Sequence, residues 1–158
     1  MSTRTNIVVR TGSTVLYLYR HHDGYPSMTG ADLATVLKGA TDATALVREL
    51  LAPSGERPTA SVYEITQDLH GDIEWVYSIS FTRNGYAKIG AAPRRYSEDP
   101  TPGPRTVYNR AAAAEVTLGD FVKDTVNPDI RATNARLVEL AAKNGFYKQF
   151  GPQQEVTL

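Results

Sequence analysis

The run of residues 73–82 constrains the fold more than any other stretch of the sequence. Five large apolar side chains alternate in it with smaller or polar ones, namely Ile73, Trp75, Tyr77, Ile79 and Phe81. Successive side chains of a β-strand point to opposite faces, so this spacing predicts a strand with one buried face. Asn84-Gly85 is a strong two-residue hairpin signal, and it predicts that residues 86–91 pair back antiparallel.

Two further strand patterns lie near the start of the chain. Residues 5–11 and 14–20 are rich in β-branched and aromatic types, and Gly12-Ser13 between them suits a tight turn. Both faces of the second strand are largely apolar, so we expect it to be central and covered on both sides. Residues 60–66 predict another strand, which we expect to form a three-stranded meander with residues 73–82 and 86–91.

Helical spacing of apolar residues marks three other regions. Thr29 followed by Asp32 resembles a capping box, and the pattern beyond it predicts one kinked helix or two short ones as far as residue 51. We expect Thr117 to cap the N-terminus of another helix, with Asp120 at the reciprocal position. Asn127-Pro128 should break that helix and begin the last one, because proline is favoured in a helix's first turn.

Residues 92–106 contain four prolines. Because proline lacks the amide donor that a sheet interior requires, this stretch predicts an exposed loop that carries Arg94 and Arg95. A short strand at 105–109 would follow the loop.

These patterns together predict one fold class. A chain of 158 residues has the usual size of one domain, so residues 1–158 are expected to form a single unit. Hydrophobic residues make up 41% and charged residues 22%, which is typical of globular proteins. The expected fold is α+β, with an antiparallel sheet of about five to six strands (an N-terminal hairpin and a central meander) packed with three to four helices.

Charge and cysteine content exclude several classes of function. Seventeen basic residues balance seventeen acidic ones, which argues against a protein that coats nucleic acid, because counterion release needs a basic surface. The chain has no cysteine, so disulfides, Cys-ligated zinc, iron–sulfur clusters and thiol nucleophiles are excluded. No apolar run is long enough to span a bilayer, and we expect a soluble, cytoplasmic protein without a membrane partner.

Two polar segments interrupt the strand patterns, the first at residues 20–26 and the second at residues 70–75. They hold all three histidines of the chain, together with nearby carboxylates, as follows: His21, His22 and Asp23 in the first, and His70, Asp72 and Glu74 in the second. Phosphate-loop, dinucleotide-binding, zinc-protease and nucleophile-elbow motifs do not occur in the sequence.

Several kinds of chemistry fit these segments. A His/Asp/Glu set from two strand ends would suit a metal ion, although Asp23-Gly24 is also good turn chemistry and the histidines could serve as hydrogen-bonding partners.

Arg20, His21 and His22 could hold an anion beside a helix N-terminus, with Arg94-Arg95 closing over it and tyrosines stacking on a base. Alternatively, Arg20 could pair internally with Asp72 or Glu74. A catalytic role would use His21 with Asp23, or His70 with Asp72, as a general base, but no nucleophile stands out.

The two segments also resemble a known pattern. A family of small, uncharacterised bacterial and phage-associated proteins has Tyr-Arg-His-x-Asp-Gly-Tyr-Pro in its first half and His-Gly-Asp-Ile-Glu-aromatic-aliphatic-Tyr in its second. The resemblance covers about residues 15–81, and His22 falls at the family's variable position. The matching residues are Arg20, His21, Asp23, Tyr25, His70, Asp72 and Glu74. The resemblance implies a small accessory protein that counters a host defence by binding a nucleotide signal or a protein.

The leading hypothesis is therefore a non-enzymatic binding protein of phage or prophage type, without a cofactor. Its partner would be a small anionic, nucleotide-like ligand or a host protein, and a homo-oligomer remains open. One alternative is a small metal-dependent hydrolase that uses the same His/Asp/Glu cluster. The other is a protein–protein inhibitor in which both motifs are purely structural.

Overall fold

The hairpin predicted at the start of the chain is present with its predicted bounds. The computed structural model describes residues 3–53, 62–96, 106–108, 114–144 and 152–158. Strand β1 (Thr5–Thr11) pairs antiparallel with β2 (Thr14–Arg20), from Thr5 opposite Arg20 to Thr11 opposite Thr14. Gly12 begins the two-residue turn with φ of +57°, a conformation that glycine adopts without steric cost.

The remaining described strands extend this hairpin into one mixed sheet. They are β3 (Tyr63–Thr66), β4 (Trp75–Phe81), β5 (Ala87–Tyr96), β6 (Thr106–Tyr108) and β7 (Val116–Thr117). The order across the sheet is β3-β2-β1-β4-β5-β6, and β7 pairs with β5 near its start. All described pairs are antiparallel except β1 with β4. The α+β class and the size of the sheet are confirmed.

One part of the predicted meander is wrong. The β4–β5 hairpin forms as predicted, but β3 pairs with β2 instead of β4. Strand β4 lies parallel to β1, with Ile7 opposite Tyr77. The chain therefore crosses from one side of the hairpin to the other through residues 67–74, because parallel strands cannot be joined by a tight turn. The alternating pattern predicted each strand but held no information on its neighbour.

The predicted loop at residues 92–106 also begins later than expected. Strand β5 continues through Pro93 to Tyr96, and its last residues pair with β6. This second partner holds the chain extended beyond the proline, at which the sequence pattern ended the strand. The backbone of Arg94 and Arg95 therefore lies in a strand, whereas residues 97–105 of the predicted loop lie outside the described residues.

The helices form a layer on one face of the sheet. A π-helical turn (Pro26–Gly30) leads directly into α1 (Ala31–Leu37), which is followed by α2 (Ala43–Leu51). The two short helices expected as far as residue 51 are thus confirmed, with the Asp42 side chain accepting a 2.8 Å hydrogen bond from the Ala45 amide at the start of α2. Thr29 does not cap a helix, because the helical turn already begins at Pro26.

The second helical region is more continuous than predicted. Helix α3 (Leu118–Phe121) passes through a π-helical turn (Val122–Val126) into α4 (Asn127–Asn144). Thr117 caps α3 as expected, accepting a hydrogen bond from the Asp120 amide. No described helix is long and apolar enough to cross a membrane.

Both faces of the sheet carry apolar side chains. The larger cluster lies between the sheet and the helices, and it includes Leu18, Tyr77 and Ile130, each with no exposed surface. A smaller cluster on the opposite face contains Tyr19 and Ile73. The crossover supplies Ile73 and Leu69 to this second cluster. The second half of β2 is therefore covered on both sides, by helices on one side and by the crossover on the other, whereas Thr14 and Val15 at its start are exposed.

Candidate functional site

The two polar segments meet at the beginning of β1. The Gly24 amide of the first segment donates a 2.8 Å hydrogen bond to the carbonyl of Thr3. The Glu74 amide of the second segment donates a bond of the same length to the carbonyl of Arg4. The residues that precede β1 thus connect two motifs that lie about 50 residues apart in the sequence.

Arg20 is an internal brace on the helix side of the sheet. Its side chain is only 10% exposed and donates to the Asp32 carboxylate at 2.5 Å and to the Tyr63 hydroxyl at 3.1 Å. The Asp23 carboxylate lies 3.7 Å from the other terminal nitrogen, and the guanidinium carbon lies 5.4 Å from the centre of the Tyr63 ring. The expected pairing of Arg20 with Asp72 or Glu74 is wrong.

Strand alternation explains why Arg20 does not join the histidines. Arg20 follows Leu18 on the helix side, whereas Tyr19 lies on the opposite face and contacts His21. The basic cluster of Arg20, His21 and His22 expected from the sequence is therefore divided between the two faces of the sheet.

The members of the brace have shifted pKa values. Burial raises the pKa of the Tyr63 hydroxyl to about 12, although the neighbouring Arg20 cation opposes this shift. Burial favours the neutral form of Arg20, but the electrostatic effects of Tyr63 and Asp32 outweigh it and leave the pKa of Arg20 above its ordinary value. At neutral pH the brace therefore contains a guanidinium cation and a neutral phenol.

The bend after Arg20 depends on backbone contacts. Asp23 has a φ of +60°, and its carbonyl accepts hydrogen bonds from the Thr29 hydroxyl at 2.7 Å and the Thr29 amide at 3.1 Å. The Gly24 carbonyl accepts a 2.8 Å bond from the Tyr77 hydroxyl, which is fully buried. Burial raises the pKa of Tyr77 well above its ordinary value. Asp23 and Gly24 therefore direct the chain into the first helical turn, as the turn interpretation of this segment predicts.

The histidines gather around Tyr19 on the opposite face. The His70 ring stacks on the Tyr19 ring, with centroids 4.0 Å apart and planes 19° apart. The Tyr19 hydroxyl lies 3.1 Å from Nδ1 of His21, and the His21 and His22 rings meet edge to face at 4.5 Å. The two polar segments thus bring all three histidines of the chain to one surface, which we call the histidine face (Tyr19, His21, His22 and His70).

Charged residues border the histidine face. The Arg4 guanidinium forms a 3.1 Å ion pair with Asp72, and both side chains are partly exposed. Asp72 also lies 3.9 Å from Nδ1 of His70, which is longer than a hydrogen bond. Burial raises the pKa of Tyr19, and the negative charge of Asp72 adds to this effect. His70 therefore has a carboxylate nearby without being hydrogen-bonded to it.

The crossover is fixed to the hairpin by one buried amide. The Asn6 side chain has no exposed surface, and its oxygen accepts a 2.8 Å hydrogen bond from the His70 amide. Its nitrogen donates at 2.7 Å to the carbonyl of Leu18 in β2. Asn6 therefore determines where His70 lies relative to Tyr19.

The remaining residues predicted for the site are Tyr25, Glu74, Arg94 and Arg95. Tyr25 precedes the first helical turn with 44% of its surface exposed, and Glu74 is exposed at the end of the crossover. Arg94 follows Pro93, which pairs with Trp75 at the end of the sheet where the polar segments lie. The side chains of Arg94 and Arg95 lie outside the described part of the structure. Within that part, no three His, Asp or Glu side chains are grouped so that they could hold a metal ion.

Several residues of these arrangements were not predicted from the sequence. Asp32 and Tyr63 complete the Arg20 brace, while Arg4 and Asn6 support the histidine face. Asn6 carried a usable signal, because a buried strand that includes an amide side chain must provide it with partners.

A third polar arrangement was also missed. On the face of the sheet opposite the helices, the Glu115 carboxylate accepts hydrogen bonds from Ser78 and Ser80 and pairs with Arg10 at 3.5 Å. Ser78 and Ser80 lie on the polar side of the alternation in β4, which was the signal available in the sequence. These contacts attach the segment that leads into β7 to the sheet.

Comparison with protein-family models, curated proteins and solved structures found no match to this chain. A proposal for the function must therefore be argued from the geometry of the two polar segments around Tyr19 and the start of β1.

Proposed function

We propose that this chain is a non-enzymatic binding protein of phage or prophage type that sequesters an anionic nucleotide at the histidine face. The observation that carries the proposal is the convergence of His21, His22 and His70 on one surface beside Arg4. Two segments far apart in sequence contribute to this surface. Neither segment would need histidines merely to form its turn.

The chemistry of this surface suits a phosphate-bearing ligand. Imidazole and guanidinium groups donate hydrogen bonds to phosphate oxygens, and planar rings stack on nucleobases. The Arg4–Asp72 pair is 36% and 47% exposed, and such surface pairs contribute only about 0–1 kcal/mol to stability. An incoming phosphate could therefore compete with Asp72 for Arg4 at small cost. Tyr25 of the first segment also has an exposed ring.

The pair of His70 and Asp72 lacks the direct hydrogen bond of a base oriented by a carboxylate. A general base is usually oriented by a directly hydrogen-bonded partner. Here Asp72 lies 3.9 Å from His70 and is closer to Arg4. The His70 ring is instead stacked on Tyr19.

The biological setting of the proposal rests on the motif resemblance. The resemblance of the paired motifs to a phage-associated family implies an accessory protein, and such a protein would gain from removing a host signal. A counter-defence role, in which a host nucleotide signal is sequestered, is therefore the setting that we propose.

Thermal unfolding of the purified chain in the presence of cyclic dinucleotides and ADP-ribose-type nucleotides tests this proposal. A ligand that binds only the folded state raises the midpoint, by mass action. We expect a rise with at least one nucleotide, and we expect its loss in His21→Ala and in His70→Ala. Arg83→Ala, which changes an exposed residue of the β4–β5 turn, should retain the rise. If no nucleotide raises the midpoint at millimolar concentration, the proposal is wrong.

A second candidate function is inhibition of a host protein. It is favoured by the internal contacts of the first segment, in which Arg20, Asp23 and Gly24 all serve the fold. Under this alternative the motifs are structural and the partner contacts another surface. Nucleotides would then have no effect, and the protein would form a complex with its host target that persists in His21→Ala.

A further inference from the structure

Residues 152–158, which we call the tail, lie along α4 in a regular arrangement. The Asn134 side chain forms two hydrogen bonds with the backbone of Gln153. It donates to the Gln153 carbonyl at 2.9 Å and accepts from the Gln153 amide at 3.0 Å. The backbone amide and the backbone carbonyl of Gln153 thus both bond to a single side chain of the helix.

The same pairing occurs again at the start of α4. The Asn127 side chain donates to the Val156 carbonyl at 3.1 Å and accepts from the Val156 amide at 2.8 Å. Seven helical residues rise about 10.5 Å, and three extended residues span about 10 Å. The two asparagines therefore match the spacing of an extended chain that runs antiparallel to α4.

Side-chain contacts add selectivity to this backbone pairing. Arg131 lies between the two asparagines in sequence and forms an ion pair with Glu155. The side-chain nitrogen of Gln153 donates to the carbonyl of Ser27, and Val156 packs against the main core. The surface formed by Asn127, Arg131, Asn134 and Ser27, which we call the groove, thus contacts a glutamine, an acidic residue two positions later, and then a branched aliphatic residue.

The groove has support that does not depend on the tail. Val126 and Ile130 of the same helical region have no exposed surface and belong to the main core. In contrast, all tail residues are exposed or only half-buried. Segments that bury little apolar surface open locally at low free-energy cost. The tail can therefore leave while the helix that carries the asparagines stays in place.

We propose that this groove is a docking site for an extended peptide of a partner protein. The partner segment would carry the pattern Gln-x-Glu-Val, and the tail is the internal occupant that it displaces. The paired asparagines support this assignment because they recognise any extended backbone, whereas Ser27 and Arg131 distinguish its side chains.

The proposal is tested by amide hydrogen exchange of the isotope-labelled full chain, measured first alone and then with added peptide. The peptide is unlabelled and has the sequence of residues 152–158. In the free protein, the Gln153 and Val156 amides should exchange more slowly than those of Gln154 and Thr157. Asn134→Ala should accelerate exchange at Gln153 by roughly tenfold, since hydrogen bonds to the tail are lost. Arg136→Ala, on an exposed position of the same helix, should leave it unchanged.

Addition of the peptide is the deciding step. We expect excess peptide to accelerate exchange of the Gln153 and Val156 amides and to shift the side-chain amide signals of Asn127 and Asn134 saturably. A peptide with alanine at the Gln153 and Val156 positions should do neither. Unchanged tail exchange at millimolar peptide would overturn the proposal. A concentration-dependent dimer that retains tail protection would also overturn it, by assigning the groove to a second copy of the chain.

Discussion

The amide of Gly24 donates a 2.8 Å hydrogen bond to the carbonyl of Thr3, which brings the first polar segment against the residues that precede β1. This approach is so close that a Cβ atom at position 24 would lie 2.9 Å from the Thr3 oxygen and 3.0 Å from Cβ of Thr5. Glycine is therefore required here because a side chain would meet the neighbouring backbone. Its backbone conformation is not the reason, since Gly24 is not among the residues with positive φ.

Replacement of Gly24 tests this contact. We expect Gly24→Ala to lower the free energy of unfolding by about 2 kcal/mol or more, because backbone atoms cannot move aside cheaply. Gly71→Ala is the matched control in the second segment, where a Cβ would meet nothing within 4 Å. Urea unfolding of both variants provides the measurement. Equal stability of the two variants would contradict the importance of this approach.

Loss of Arg20 should affect stability and leave binding intact. Arg20→Ala removes a hydrogen bond to the buried Tyr63 hydroxyl and two ion pairs whose carboxylates are half-exposed, so we expect a loss of about 1 to 3 kcal/mol in the free energy of unfolding. Arg83→Ala should change it by less than about 0.5 kcal/mol. If folded Arg20→Ala protein loses nucleotide binding while its stability is unchanged, the assignment of Arg20 as a brace is wrong.

Tyr63 should make the protein sensitive to high pH. Its folded-state pKa is raised from 10.0 to about 12, so the tyrosinate is disfavoured in the folded protein. The resulting stability is fully present below pH 10 and is lost as the pH rises towards 12. Two pKa units correspond to about 2 to 3 kcal/mol. Urea unfolding across this range should show a steeper loss in the native chain than in Tyr63→Phe, and equal slopes would refute the prediction.

Asn6 should control the position of the crossover. Asn6→Ala leaves the His70 amide and the Leu18 carbonyl without their partner, so we expect a loss of about 2 to 3 kcal/mol in the free energy of unfolding. Hydrogen exchange of the His70 amide should accelerate in this variant. Gln67→Ala, an exposed change at the start of the crossover, should leave both quantities unchanged. Unaltered His70 exchange in Asn6→Ala would show that other contacts hold the crossover.

The local elements were largely predictable from the sequence. Strands β1 and β2 have their predicted bounds, because their β-branched residues and the Gly12 turn are local signals. The partner of β3 was not predictable. Its four residues could pair with any apolar strand, and only the packing of the whole sheet selects β2.

The sequence predicted that the two polar segments come together, but it did not predict how their side chains are arranged. Both polar segments do meet, yet Arg20 and His21 point to opposite faces of the sheet. Strand alternation could have indicated this division. The partners Asp32 and Tyr63 could not have been found in this way, because they come from elements whose positions depend on the tertiary fold.

The sequence by itself determined the composition of the two polar segments, the strand that leads into the first and the strand that follows the second. These properties depend on residues close together in the chain, such as Asp23 and Gly24. The tertiary structure alone decided that residues 67–74 cross the sheet and stack His70 on Tyr19. The physical reason is that β4 pairs in parallel with β1, so the crossover must pass over the hairpin, where Asn6 fixes it.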